Sequence, residues 1–209
     1  MNKFWRYLSQ TIIHPAKTFK QLLADPHYLR YGTQVVFLIA ILYTFTVIGL
    51  ALNHASVATP PVVTIPAEHY YFWQSFFTLP VFVLAWILAA GLAHLLSKFF
   101  RGSGTFEGTA AVLGFALSLP GFVTWSVETV ITVLTLVGLM HQGAWTELTS
   151  HQGLWQVFAY VYQLVALGWY LVLFPIAVGV AQQLRWWQAL IVGLFTFSVV
   201  GSIVFLFIR

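Results

Sequence analysis

Long apolar stretches recur at about 33–52, 73–97, 109–139, 154–182 and 187–208 of this 209-residue chain. A hydrocarbon core about 30 Å thick needs roughly 20 helical residues, so each stretch is long enough for one crossing. Lipid offers the backbone no hydrogen bonds, which leaves helices or closed barrels, and a barrel would show alternating segments of about ten residues. These stretches do not alternate. The sequence therefore predicts an all-α polytopic membrane protein with five transmembrane helices. Its charge agrees, since only 7% of residues are charged where a soluble domain carries far more. The stretch 109–139 would reach roughly 46 Å as a straight helix. Pro120-Gly121 is expected to kink it, the alternative being a shallow segment followed by a crossing at about 122–140.

The basic residues give these crossings a direction. Lys3, Arg6, Lys17, Lys20 and Arg30 precede the first span, Lys98 and Arg101 lie in the 98–108 connection, and Arg185 lies in the last turn. The alternate connections, about 53–72 and 140–153, have no Lys or Arg but hold Glu68, Glu147 and four of the seven histidines. Lys and Arg accumulate on the cytoplasmic side. The N-terminus is thus expected inside and the C-terminus, with Arg209, on the opposite side. The net charge of +4 follows from this topology, and nucleic-acid binding is not expected. Tyr70, Tyr71, Trp73, Trp145 and Trp155 fit an outer aromatic belt, and Trp5, Tyr31, Trp186 and Trp187 an inner one.

Residues 1–32 form a cytoplasmic arm with no apolar run resembling a removable signal. Pro15 suits a helix's first turn, Phe19, Leu22 and Leu23 share one face, and Asp25-Pro26 stops the helix. A short amphipathic interfacial helix lying on the membrane surface is predicted there. The membrane domain then occupies 33–209, and the prolines between Thr59 and Pro66 should keep its first outer connection extended.

Within the spans, small residues let helices approach closely. Ala85, Ala89 and Ala93 form one stripe and Ala110, Gly114 and Ser118 another, and an antiparallel pair would bring them face to face. Glu128 is the acidic residue deep in a span, where an ionised group costs about 2.5–3.5 kcal/mol on insertion scales. Gln163 lies at broadly similar depth and is a candidate partner, as are Tyr160 and Tyr162. The alternatives for Glu128 are a structural hydrogen bond, a proton or ion pathway, and a shallow water-facing position.

The connection Lys98-Phe99-Phe100-Arg101-Gly102-Ser103-Gly104-Thr105-Phe106-Glu107 has glycines for a tight turn, Thr105 to cap the next helix and Glu107 at its positive end. It reads either as a structural turn or as a site where Lys98, Arg101 and the amides of Gly102, Ser103, Gly104 and Thr105 receive a lipid phosphate. Lys17 and Lys20 are candidates for the same contact. GxxxxGK[ST] and GxSxG are both absent. Without cysteine, thiol nucleophiles, disulfides and Cys-ligated metals are excluded. The outer histidines carry ligand-capable atoms, but no spacing makes them converge, and neither a metal nor a cofactor is expected.

Ile13-His14-Pro15, Phe19 and Asp25-Pro26 before the first span, with Gly102-Ser103-Gly104-Thr105-Phe106 running through Leu113-Gly114-Phe115-Ala116 to Pro120, resemble the YIP family, the Ypt/Rab-interacting-protein type of integral membrane domain. The resemblance covers about residues 10–205. The five expected spans and cytoplasmic N-terminus agree with it, and it implies an integral membrane protein of the kind that, in eukaryotes, engages small GTPases and membrane-shaping partners in the early secretory route. No catalytic set comes with it. Eukaryotic members usually have a longer cytosolic region than the thirty or so residues here, which favours a bacterial inner-membrane member.

The expected function is that of a non-enzymatic membrane organiser or a subunit of a membrane assembly. It would act on anionic headgroups, a membrane-protein partner or a second copy of itself. The alternative is a small transporter, scramblase-like or permeation unit using Glu128.

Overall fold

The computed structural model describes residues 3–55, 57 and 65–208. The expectations for Thr59–Thr64 and for Arg209 fall outside the described residues. The chain begins with two short helices, α1 (Lys3–Ile13) and α2 (Pro15–Leu23). They are close to one helix broken at Pro15. The His14 N–H donates to Gln10 O at 2.8 Å and the Thr18 N–H to His14 O at 2.9 Å, but Pro15 has no N–H to give. The sequence reading did not anticipate α1. Its buried face, Phe4, Tyr7 and Thr11, has the spacing that identifies a helix.

After Asp25-Pro26 come α3 (Tyr28–Leu52), a 3-10 turn at Ala67–His69, α4 (Tyr70–Phe99), α5 (Phe106–Leu136), the short α6 (Ala144–Ser150), α7 (Leu154–Gln182) and α8 (Trp186–Phe207). Five of these, α3, α4, α5, α7 and α8, are long and apolar enough to cross a membrane. No strand occurs among the described residues. Pro120 stays inside α5, which runs unbroken for 31 residues.

α5 is the central rod. Every residue from Gly108 to Gly121 is buried, because α3, α4 and α7 surround this half and α2 covers its start. Phe19 and Leu22 of α2 are buried in the same core as Leu113 and Phe115 of α5 and Phe174 and Ala177 of α7. The predicted interfacial helix therefore gives its apolar face to the bundle end rather than to lipid, and leaves Lys17 and Lys20 exposed.

The tightest seam joins the parallel helices α3 and α5. A Cβ on Gly32 would stand 2.5 Å from Ala111 Cα, and one on Gly114 would stand 2.6 Å from Gly32 O. The Ala110/Gly114/Ser118 and Ala85/Ala89/Ala93 stripes are both buried, and the atoms nearest a Cβ on Gly114 belong to Gly32 of α3. α4 reaches α5 through Trp86 Nε1, which donates to Ala110 O at 2.7 Å. Between α7 and α8 the close points are Gly193 against Pro175 and Gly179 against Ala189.

Candidate functional site

The α3–α5 seam changes character along its length. Its inner third is glycine against alanine backbone. Farther out, Tyr43 OH donates to Glu128 Oε2, the hydroxyls of Thr46 and Thr129 lie 2.6 Å apart, and a Cβ on Gly49 would touch Thr132 Cγ2. Tyr43 and Glu128 are thus brought together by the same helix pair that the glycines hold in register.

Glu128 borders a cavity of about 310 Å³ that reaches all five long helices. Tyr43 lines it from α3, Phe82 from α4, Thr124 from α5, Gln163 and Tyr170 from α7, and Phe197 from α8. Gln163 shares the cavity with Glu128, but its amide donates to Tyr162 OH at 3.4 Å, and Tyr160 is exposed. The direct partner of the carboxylate is Tyr43, which the sequence reading missed. A tyrosine in the middle of an apolar run, away from either aromatic belt, is the signal that would have singled it out, and Tyr170 carries the same signal. Tyr70, assigned to the outer belt, is instead buried, and its OH donates to Phe207 O at 3.0 Å, holding the end of α8.

The opposite, basic end is knitted together. Gly102 N–H donates to Ser97 O at 2.8 Å and Ser103 N–H to Gln182 O at 3.1 Å. A Cβ on Gly104 would lie 2.0 Å from Ala181 O, so only glycine lets the turn seat on the end of α7. Arg101, at φ +62°, takes the left-handed conformation that reverses the chain. Lys98 Nζ donates to Gly102 O at 3.2 Å and Gly104 O at 3.3 Å. Thr105 caps α5 by accepting from Gly108 N–H at 3.1 Å. Gln182 Nε2 lies 2.6 Å from Thr109 Oγ1 and 3.0 Å from His94 Nδ1. Lys98 and the Ser103 amide are therefore engaged within the fold, while Arg101 and Ser103 are exposed.

At the same end, Asp25 ties α1 to the start of α3. Its carboxylate accepts from Lys3 Nζ at 2.9 Å, Tyr7 OH at 3.2 Å and His27 N–H at 3.0 Å. The Lys3 ammonium, and after it the His27 amide, hold its pKa down to about 2.

The family model for the Yip1 domain matches residues 9–208. The chain belongs to the Yip1 family. No curated protein and no solved structure matches it significantly. In this Yip1 chain the residues that carry the likeness sit at structural joints. Pro15 opens α2, Phe19 is buried under it, Asp25 closes the arm, and Gly102 and Gly104 seat the turn.

At the end away from the described Lys and Arg the histidines are dispersed. His69 lies 3.7 Å from Glu68 and His141 lies 3.1 Å from Glu147, and no group of three or more potential metal ligands forms among the described residues. A wider cleft of about 1020 Å³ separates the outer half of α5 from α6 and the start of α7, lined by Val130, Leu134, Trp145, Trp155 and Phe158.

Proposed function

We propose that this Yip1 chain is a non-enzymatic membrane organiser, or a subunit of a membrane assembly, that works by gripping anionic lipid with one end of its bundle. The observation that carries this reading is the distribution of charge. Every Lys and Arg among the described residues lies at the end formed by α1, α2, the 98–107 turn and the α7–α8 turn. All eight, Lys3, Arg6, Lys17, Lys20, Arg30, Lys98, Arg101 and Arg185, are exposed, beside exposed Trp5, Ile13, Phe99 and Trp186. Cations flanked by aromatic and apolar side chains suit the headgroup level of a negatively charged leaflet, at about 1 kcal/mol for each basic residue near the surface. The same distribution supports a cytoplasmic N-terminus. Asp25, Thr109 and Gln182, polar groups at this end, join helices to one another.

The test is native mass spectrometry of the protein released from nanodiscs of phosphatidylglycerol and phosphatidylcholine. The wild type should keep phosphatidylglycerol, and the triple variant Lys17→Gln, Lys20→Gln, Arg101→Gln should keep several-fold less. Equal retention would overturn the reading. So would proton or solute flux in proteoliposomes that disappears with Glu128→Gln, the result expected of a permeation unit.

A further inference from the structure

Among the described residues Glu128 has no cationic partner. It is half-buried, eight residues before the end of α5 at Leu136, and its side chain receives one hydrogen bond, from Tyr43 OH. All the Lys and Arg among the described residues are at the far end of the bundle. No histidine lines its cavity. A carboxylate in that position is neutralised by a proton or paired with a cation.

The walls of the cavity indicate which cation. On one side Tyr43 and Phe82 pack with ring centroids 5.7 Å apart. On the other Tyr170 stacks on Phe197 at 5.3 Å, and Phe174 meets the same Phe197 at 5.5 Å. A hard metal ion such as Mg²⁺ or Ca²⁺ asks for about six to eight oxygen ligands. Here one carboxylate stands with a few hydroxyls and one amide among rings. Aromatic rings around a single negative charge are the chemistry that recognises an alkylated or primary ammonium group, through cation–π attraction and one ion pair. The cavity, at about 310 Å³, has room for such a group. It also has a way in, since its wall includes exposed Leu167 and Gln163 of α7 and exposed Phe205 of α8 at the outer part of the bundle.

We propose that the Glu128 cavity is a binding site for an organic ammonium group, either a free alkylammonium or the amine headgroup of a lipid entering between α7 and α8. Tyr170 and Phe197 form one aromatic wall, Tyr43 and Phe82 the other, and Glu128 supplies the counter-charge. This site is separate from the basic end on which the organiser reading rests, so either can fail alone.

Two arms separate the sources. In phosphatidylglycerol nanodiscs, calorimetric titration with choline should show saturable binding, about tenfold or more tighter than binding of neohexanol, its uncharged isostere. In nanodiscs of phosphatidylethanolamine and phosphatidylglycerol, native mass spectrometry should find the ethanolamine lipid enriched on the protein if the lipid is the source. Success in either arm, abolished by Glu128→Gln, supports the site. If that variant does not fold, displacement of the ethanolamine lipid by choline, and not by neohexanol, decides the matter in the wild type. The proposal is overturned if neohexanol matches choline and no amine lipid is enriched, or if binding persists in Glu128→Gln. A carboxylic acid that holds only a proton would give the first of these results.

Discussion

Asp25 concentrates three donors from α1 and the following turn on one carboxylate, and this makes the N-terminal arm sensitive to acid. Its folded pKa of about 2 lies below the ordinary 3.8. The pairing therefore contributes its full stabilisation above about pH 4 and loses it as the pH falls through that interval towards 2. Limited proteolysis of the detergent-solubilised protein should find α1 protected from neutral pH down to about 4 and cleaved increasingly below. Asp25→Asn, which keeps the shape but loses the charge for Lys3, should leave α1 susceptible at neutral pH and flatten the acid transition. A protected α1 in that variant would show that Phe4 and Tyr7 hold the arm by packing alone. Asp25 was legible in the sequence only as a helix stop beside Pro26. Its partners Lys3 and Tyr7 belong to a helix that the apolar pattern, interrupted by Arg6, Ser9 and Gln10, did not bring out.

Among elements, the α3–α5 pair sets the geometry of everything else. Leucine at Gly114 would drive a side chain into the backbone of Gly32, which has no flexible end to move aside. Gly114→Leu should cost at least the about 1–3 kcal/mol usual for overpacking, seen as a lower midpoint of thermal unfolding in detergent. Gly91→Leu is the matched control, since a Cβ there meets nothing within 4 Å, and it should leave the midpoint unchanged. The spans themselves were readable, 154–182 to the residue, because length and apolarity are local properties. Where an edge moved, a local reason exists. α3 begins earlier, at Tyr28, because Arg30 and Gln34 interrupt the apolar run without breaking the helix. α5 ends at Leu136, before the apolar run does, and Gly138 then takes φ +74°. The pairing of the spans was not readable. The small-residue stripes suggested the consecutive neighbours α4 and α5, yet the closest approach joins α3 to α5. Gly32 gives no hint, eighty-odd positions away, that it will meet Gly114.

For the whole molecule, the arrangement of every described Lys and Arg at one end, with Glu68, Glu147 and four of the seven histidines at the other, predicts opposite exposure of the two ends. The chain has no cysteine, so single substitutions report cleanly. Arg101→Cys should react with a membrane-impermeant maleimide only from the cytoplasmic side, and Gln142→Cys only from the other. Both reacting from one side would refute the orientation. The two ends also differ in how they are fastened. Near the charges, α2, the 98–107 turn and α7 interlock, and Gly193 and Gly179 pin α8 to α7. Beyond Ala166 the outer half of α7 turns Val157, Tyr160, Val161 and Leu164 away from protein contact. This asymmetry works like a clothes-peg whose spring sits in one leaflet and whose jaws lie in the other. The acid thus lies toward the jaws, while Gly104 and Gly193 belong to the spring, where a single added methyl group would strike backbone.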